Sequence, residues 1–372
     1  MGYVAVKGGT EAIEEACRLF AYQRIKGDSA PLDVTQIREQ LYLAVDKTMG
    51  EGGLYAPDLA ALALKQAAGD SLEASFMLRA YRATRERLGT SLATDTSGMR
   101  LIRRISSAFK DIPGGQMLGA TSDYTLRLLD FSLLEDDEMR REAFRQQIFS
   151  HLPQDLDIPQ TFPKVIEILR REGLLAELPP RPAEDSPIPD LTRQPLVFPA
   201  PRAAKLQALA RGETGGMLTL AYSSMRGYGD IHPTLGELRV GYLPLLIRHP
   251  ISGETCRVGE VKVTEAEVLA RMDGEGGMPR FSLGYGLCFG QNEIKAIAMA
   301  ILDRCTRAAV PGSPAEDEEF VLYHIDGIEA MGFCNHWKLP HYVDFLSDLD
   351  RLRKSQELAR GGRQREAGHD QG

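Results

Sequence analysis

GELRVGYLPLL (residues 236–246) and TCRVGEVKVT (255–264) decide the class of this chain. Both runs are rich in Val, Leu and Tyr, and the Pro250–Gly253 region between them has turn composition, so they read as paired strands. Downstream, GYGLCFG (284–290) reads as a buried strand whose glycines admit close backbone approach. It feeds QNEIKAIAMAILDRC (291–305), where apolar residues at 294, 297, 298, 301 and 302 make a helical stripe. Two further helices are expected around 316–331 and 341–354. The polar, glycine-rich tail ARGGRQREAGHDQG (359–372) is expected to fray.

Upstream of the strands, residues 10–134 read mainly as helix. In DLAALALKQAAGDSLEASFMLRAYRATRERL (58–88), Gly69-Asp70 interrupts the pattern, and Asp70 or Ser71 is placed to cap a second helix whose apolar face includes Leu72, Phe76 and Met77. Asp95 or Thr96 is expected to start another helix through Phe109, stopped by Pro113-Gly114-Gly115. A charged helix, EDDEMRREAFRQQIF (135–149), precedes eleven prolines between Pro153 and Pro201. That density breaks regular elements, so 174–201 is expected to be an extended connector and the main domain boundary. The expected class is α+β, with a mainly helical domain at 1–134, a charged helix and connector at 135–201, an α+β domain at 202–354 and a flexible tail at 355–372.

The bulk composition narrows the function. The chain has 372 residues, 43% hydrophobic and 26% charged, which is an ordinary globular balance able to bury a core without staples. Its five cysteines include no CxxC pair, which argues against a disulfide framework and a cysteine-only zinc site. A formal net charge of −8 disfavours a general nucleic-acid binder. No apolar run reaches the ~18 residues of a membrane span, and MGYVAVKGG lacks the features of a signal peptide, so the cytoplasm is expected.

Three constellations carry chemistry. In MRLIRRISSAFKDIPGGQMLG (99–119), a helix would gather Arg100, Arg103 and Arg104 on one side, with Lys110 opening the loop to Pro113-Gly114-Gly115. Guanidinium forks beside exposed glycine amides suit a polyphosphate, although a solvated basic face with a helix-stop turn explains the same residues. GxxxxGK[ST] is absent, so this is not a P-loop. In LAYSSMRGYGDIHPTLGELRVGY (220–242), Arg226, Asp230, His232, Glu237 and Arg239 crowd together, and Tyr222 or Tyr228 could stack on a base. A carboxylate here could stabilise an oxocarbenium-like sugar cation; a polar loop joining helix to sheet is the alternative. In FCNHWKLPHYVDF (333–345), His336 and His341 meet across a bend at Pro340. With Asp344 or Cys334 they could hold a transition metal such as zinc, or an anion; two surface histidines are the plain alternative.

Taken in order, VAVKGG (4–9), ALALKQAAGD (61–70), RLIRRISSAFKDIPGGQMLG (100–119), DYTLRLLDF (123–131), SMRGYGDIHP (224–233), GYGLCFG, DEEFVLYHIDGIEAMGF (317–333) and HWKLPHYVDF (336–345) resemble the PhnI family, a subunit of the carbon–phosphorus lyase core complex. The resemblance spans nearly the whole chain and is weakest over 135–201 and after 354. It implies a subunit that, with its companions, displaces adenine from C1′ of MgATP by a phosphonate oxygen, giving an α-D-ribose 1-phosphonate 5-triphosphate. Alone, such a subunit is expected to act as a purine nucleosidase. The family's paired histidines correspond to His336 and His341, where this subunit meets a radical SAM subunit. Under this reading Arg103, Arg104, Lys110, Gly114 and Gly115 are candidates for the triphosphate, and Asp230 or Glu237 for the ribosyl cation. Asp111 or His232 is the candidate for the departing base. Self-association within the complex is expected, and a non-catalytic scaffold is the alternative.

Overall fold

The computed structural model describes residues 9–135, 137–151, 162–176, 189–227, 232–272 and 278–369. Its contacts divide the chain into two compact units. One joins the two ends: α1 (Thr10–Gln23), α12 (Gly327–Trp337) and α13 (Tyr342–His369). α13 continues well past the expected end near 354. Its Gln, Glu, Arg, Leu and Ala residues keep helix propensity high enough to carry the helix across Gly361-Gly362.

The second unit, Val34–Asp326, begins with four helices: α2 (Val34–Gln40), α3 (Tyr42–Gly52), α4 (Pro57–Gln66) and α5 (Ser71–Ala83). The break expected at Gly69-Asp70 is present, and Asp70 caps α5 by accepting from the backbone N–H groups of Leu72 and Glu73 at 2.9 and 3.1 Å. The buried face of α5 is Ala74, Ser75 and Leu78, however, with Phe76 exposed. These helices share a core of Ile37, Val45, Met49, Leu64 and Leu78.

Residues 99–109 depart from the expected helix. After a turn at Thr96–Gly98 the chain forms strand β1 (Arg100–Ile105). β1 joins an antiparallel sheet with β2 (Thr234–Arg248), β3 (Thr255–Met272) and β4 (Arg280–Phe289), in the order β1-β2-β3-β4. The expected hairpin is β2–β3, closed where His249 N–H donates to Glu254 O and Gly253 N–H to His249 O. Between β1 and β2 lie α6 (Glu138–Ser150), α7 (Ile166–Arg171), α8 (Arg202–Arg211) and α9 (Thr214–Ser223); after β4 come α10 (Glu293–Cys305) and α11 (Glu318–His324). Of the connector 174–201, residues 177–188 lie outside the described residues. Leu191, Leu196 and Phe198 pack against the main core.

One sheet face, through Leu238, Ala266, Val268 and Cys288, packs on α10 together with α8, α9 and α11. Burial of Leu209 and Leu302 there contributes ~1.5–3 kcal/mol each. The fit depends on Gly284 and Gly286: a Cβ would lie 2.0 Å from Ala300 O and 2.1 Å from Ala296 O. The N-terminal helices belong to this same unit, where the sequence expects a domain boundary further along. Buried polar bonds explain this: Asp46 on α3 accepts from Gln291 N–H at 2.9 Å and pairs with Lys262 on β3 at 2.7 Å, while Tyr55 accepts from Lys262 N–H.

Candidate functional site

The other face of the sheet carries charge where a core would normally be apolar. Strand alternation and register place Arg104 beside Arg239, Arg239 beside Glu265, Glu237 beside Glu267, and Glu267 beside Tyr285. Apolar clusters flank this strip on both sides: Met99, Leu243 and Val263 on one, and Ile166, Leu169, Leu269 and Leu283 on the other. Glu237, Arg239, Glu265 and Glu267 are each at most 2% exposed, and Arg104 is fully buried.

Buried charges persist only when paired and hydrogen-bonded. Arg104 Nε donates to Glu237 Oε1 at 2.5 Å, its Nη1 to Pro113 O and Gly115 O at 2.6 and 3.1 Å, and its Nη2 to Pro163 O at 2.7 Å. Glu237 Oε2 accepts from Val165 N–H at 3.0 Å. Glu265 Oε1 accepts from Lys164 Nζ, Tyr285 OH and Thr96 Oγ1 at 2.8, 2.9 and 2.6 Å, and Arg239 Nη1 lies 3.6 Å from Glu265 Oε2. Lys164 Nζ also donates to Glu267 Oε1 at 3.0 Å. Glu265 Oε2 and Glu267 Oε2 have no hydrogen-bond donor among the described residues.

Three carboxylates thus face three cations, yet they do not share them equally. Burial, reinforced by Glu265 and Glu237 and opposed by Lys164, pushes the Glu267 carboxyl up to about 7. Burial alone would lower the Lys164 ammonium, but Glu267 and Glu265 outweigh it and hold the group above its ordinary value. Burial and then Glu265 raise the Tyr285 phenol. A carboxyl that titrates near neutrality can take up or release a proton under working conditions.

The structure brings Arg104, Glu237 and the Pro113–Gly115 loop together as one hydrogen-bonded group. Arg103 lies on the opposite sheet face, where Nε sits 2.9 Å from Glu293 Oε1 and the other donors serve Asp123 and Leu118 O. Arg104 has its guanidinium donors committed to acceptors of its own chain. Lys110 and Asp111 are exposed at the loop, as is His232. Asp230 and Tyr228 lie outside the described residues. Glu265, Glu267, Tyr285 and Lys164 escape the sequence reading; the signal for them is TEAE (264–267), glutamates at period two inside a buried strand.

In the end-joining unit, the bend at Pro340 brings the imidazoles together: His336 Nε2 and His341 Nε2 are 3.0 Å apart, and His341 Nδ1 bonds Leu339 O at 2.6 Å. The ring of Trp337 stacks on His341 with centroids 5.6 Å apart. Among the described residues no group of three or more His, Cys, Asp or Glu is arranged to hold a metal. No described helix is long and apolar enough to cross a membrane.

Residues 2–359 match the family described as bacterial phosphonate metabolism protein (PhnI). A putative C-P lyase subunit protein, HtxH, of Stutzerimonas stutzeri is 53% identical over 366 residues, 96% of this chain and 97% of its own length. The alpha-D-ribose 1-methylphosphonate 5-triphosphate synthase subunit PhnI of Escherichia coli K12 is 48% identical, covering 95% of this chain and 98% of its own. That of Rhizobium meliloti 1021 is 44% identical, covering 97% of both. With a match spanning nearly the full length, the chain belongs to the PhnI family of bacterial phosphonate metabolism proteins.

Proposed function

We propose that this chain is a subunit of an α-D-ribose 1-methylphosphonate 5-triphosphate synthase within a carbon–phosphorus lyase complex. The observation that carries the reading is 48% identity, over 95% of the chain, to the Escherichia coli subunit of that name. The reaction uses MgATP as substrate. A phosphonate oxygen forms a bond to ribose C1′ while the C1′–N bond to adenine breaks, and the leaving base takes the electron pair and a proton. With water as nucleophile the same site acts as a purine nucleosidase.

The roles divide according to which groups have free donors. Arg104 and Glu237 act as positioning residues that hold the Pro113–Gly115 turn, since Arg104 bonds both of its carbonyls. Lys110 and the Gly114 amide then meet the triphosphate, with Gly115 N–H, which donates to Ile112 O at 2.8 Å, closing the turn and Arg103 bracing the segment from behind through Glu293 and Asp123. Asp230 is the carboxylate assigned to the ribosyl cation, and His232 or Asp111 the group assigned to the departing base. The cytoplasm is the compartment where ATP is supplied.

His336 and His341 offer two imidazole donors to a transition metal such as zinc; their facing Nε2 atoms fit one ion, whose remaining ligands come from a companion chain or solvent. Assembly with further subunits, a radical SAM subunit and a second copy among them, is supported by exposed apolar side chains. Leu126, Leu128, Leu129, Phe131 and Leu134 are 71–87% exposed along one short stretch. That same stretch favours the second reading, a scaffold that organises catalytic companions.

Purified protein with MgATP, assayed by chromatography, separates the readings. Free adenine with ribose 5-triphosphate is expected, and Lys110→Ala should weaken ATP several-fold while leaving adenosine unchanged. ADP and phosphate as products would overturn the assignment, and no turnover with or without companions would favour the scaffold.

A further inference from the structure

The segment leading into α7 crosses the charged face of the sheet and is fastened there at Pro163, Lys164 and Val165. Pro163 O accepts from Arg104 Nη2 at 2.7 Å, Lys164 Nζ donates to Glu265 Oε1 and Glu267 Oε1 at 2.8 and 3.0 Å, and Val165 N–H donates to Glu237 Oε2 at 3.0 Å. The same Arg104 holds the Pro113–Gly115 turn through Nη1. One guanidinium therefore ties this segment to the turn, and Lys164 ties it to the two glutamates of β3.

The charged and titratable groups of the strip around Glu267 come from every element on this face: Arg104 of β1, Glu237 and Arg239 of β2, Glu265 of β3 itself, Tyr285 of β4, and Lys164 from the crossing segment. The cations are not distributed evenly. Arg104 bonds Glu237 and three carbonyls, and Arg239 gives its Nη donors to Thr96 O and Ser97 O at 3.0 and 3.5 Å. Lys164 is the one cation hydrogen-bonded to Glu267 among the described residues, and Glu265 uses it too. Glu267 Oε2 has no donor there. A proton on that oxygen displaces no hydrogen bond, whereas a full negative charge must be met by a shared lysine. Burial first, with Glu265 and Glu237 adding and Lys164 opposing, accordingly holds this carboxyl at about 7.

We infer that Glu267 and Lys164 are positioning residues that couple a proton to polyphosphate binding at the Pro113–Gly115 turn, Glu267 taking up the proton as the anion binds. The inference rests on the triphosphate placement proposed above. Arg104 on β1 and Glu267 on β3 are two strand spacings apart, roughly 10 Å. Several phosphate charges act over that distance when the intervening strip excludes water. A like charge drives a carboxyl towards its neutral form, so the bound anion draws a proton from the buffer onto Glu267. The coupling is reciprocal: the protonated strip, with one negative charge fewer beside the turn, holds the anion more tightly.

The test is isothermal titration calorimetry of the full-length protein with magnesium tripolyphosphate, which has no glycosidic bond to turn over. Runs at pH 7 in buffers of different ionisation enthalpy count the protons exchanged per anion bound. Wild type should take up as much as about half a proton more than Glu267→Gln, since the carboxyl is half-protonated beforehand and any proton taken by the ligand is common to both. Lys164→Gln leaves Glu267 protonated before the anion arrives, so it should match Glu267→Gln. Glu260→Gln, further along β3 where Glu260 bonds Arg100, should match wild type. Adenosine, which carries no phosphate, should bind without proton uptake. Tripolyphosphate binding with the same proton count in wild type and Glu267→Gln would overturn the inference and leave the placement of the triphosphate standing. Absence of tripolyphosphate binding would overturn both.

Discussion

Replacing Glu267 by glutamine keeps the shape and one acceptor oxygen of a fully buried side chain but removes its ability to ionise. In the native sheet this carboxyl titrates near 7, raised from 4.5 by burial and by Glu265 and Glu237. A carboxyl raised in the folded state stabilises the protein below its unfolded pKa. That stability is lost as pH climbs through the folded value, because the unfolded chain releases the proton first. The gap between 4.5 and about 7 corresponds to about 3 kcal/mol, at ~1.36 kcal/mol per factor of ten in proton affinity, most of it falling between pH 5 and pH 7. Urea denaturation of both proteins at pH 5, 6, 7 and 8 reads this directly. The stability difference between wild type and Glu267→Gln should move by about 2–3 kcal/mol in favour of the variant as pH rises. Parallel curves across the range would mean that Glu267 is ionised throughout and that Lys164 alone satisfies the strip, which would refute the electrostatic description given above.

Two further outcomes are expected. Gly286→Ala would place a methyl group 2.1 Å from Ala296 O, so α10 must move off the sheet at a cost on the order of 1–3 kcal/mol; an unchanged urea midpoint would mean the helix docks less closely. His336→Ala with His341→Ala should leave adenine release by the isolated chain within a few-fold yet abolish phosphonate breakdown by the assembled complex, and loss of release in a folded double mutant would place the pair at the glycosidic bond.

The parts of the fold legible in the sequence are those where one local pattern has one structural meaning. The helical spacing in 291–305 gives α10, although Ile294 of the expected stripe is exposed and burial extends to Lys295, Met299 and Asp303, and the β2–β3 hairpin has its turn where composition demands it. Strand β1 was hidden for a specific reason. A register shift between Leu101 and Arg103 breaks the two-residue alternation, so that Arg100, Arg103 and Arg104 fall at the spacing of a helix face. The buried strip was illegible because burial of Glu265 and Glu267 depends on what covers each sheet face. Gly284 and Gly286 admit α10 on one side, which leaves the glutamates on the other, under Lys164 from a segment about 100 residues earlier. The histidine pair was the opposite case. A proline bend five residues long is local information, and the two rings meet as the spacing allows.

The joining of the two chain ends into one unit sets an order of events during synthesis. The unit draws residues from both sides of Val34–Asp326, so α1 emerges from the ribosome about 300 residues before α12 exists. At ~5–20 residues per second, that interval is roughly 15–60 s. Through it the sheet unit can close around its own core, while α1 carries Ile13, Leu19 and Phe20, which stay exposed even in the finished structure. A nascent chain halted before residue 327 would therefore present a finished sheet unit beside a leading helix whose apolar residues are open to solvent, a species with its own hazard of wrong association and its own opportunity for a companion to dock early.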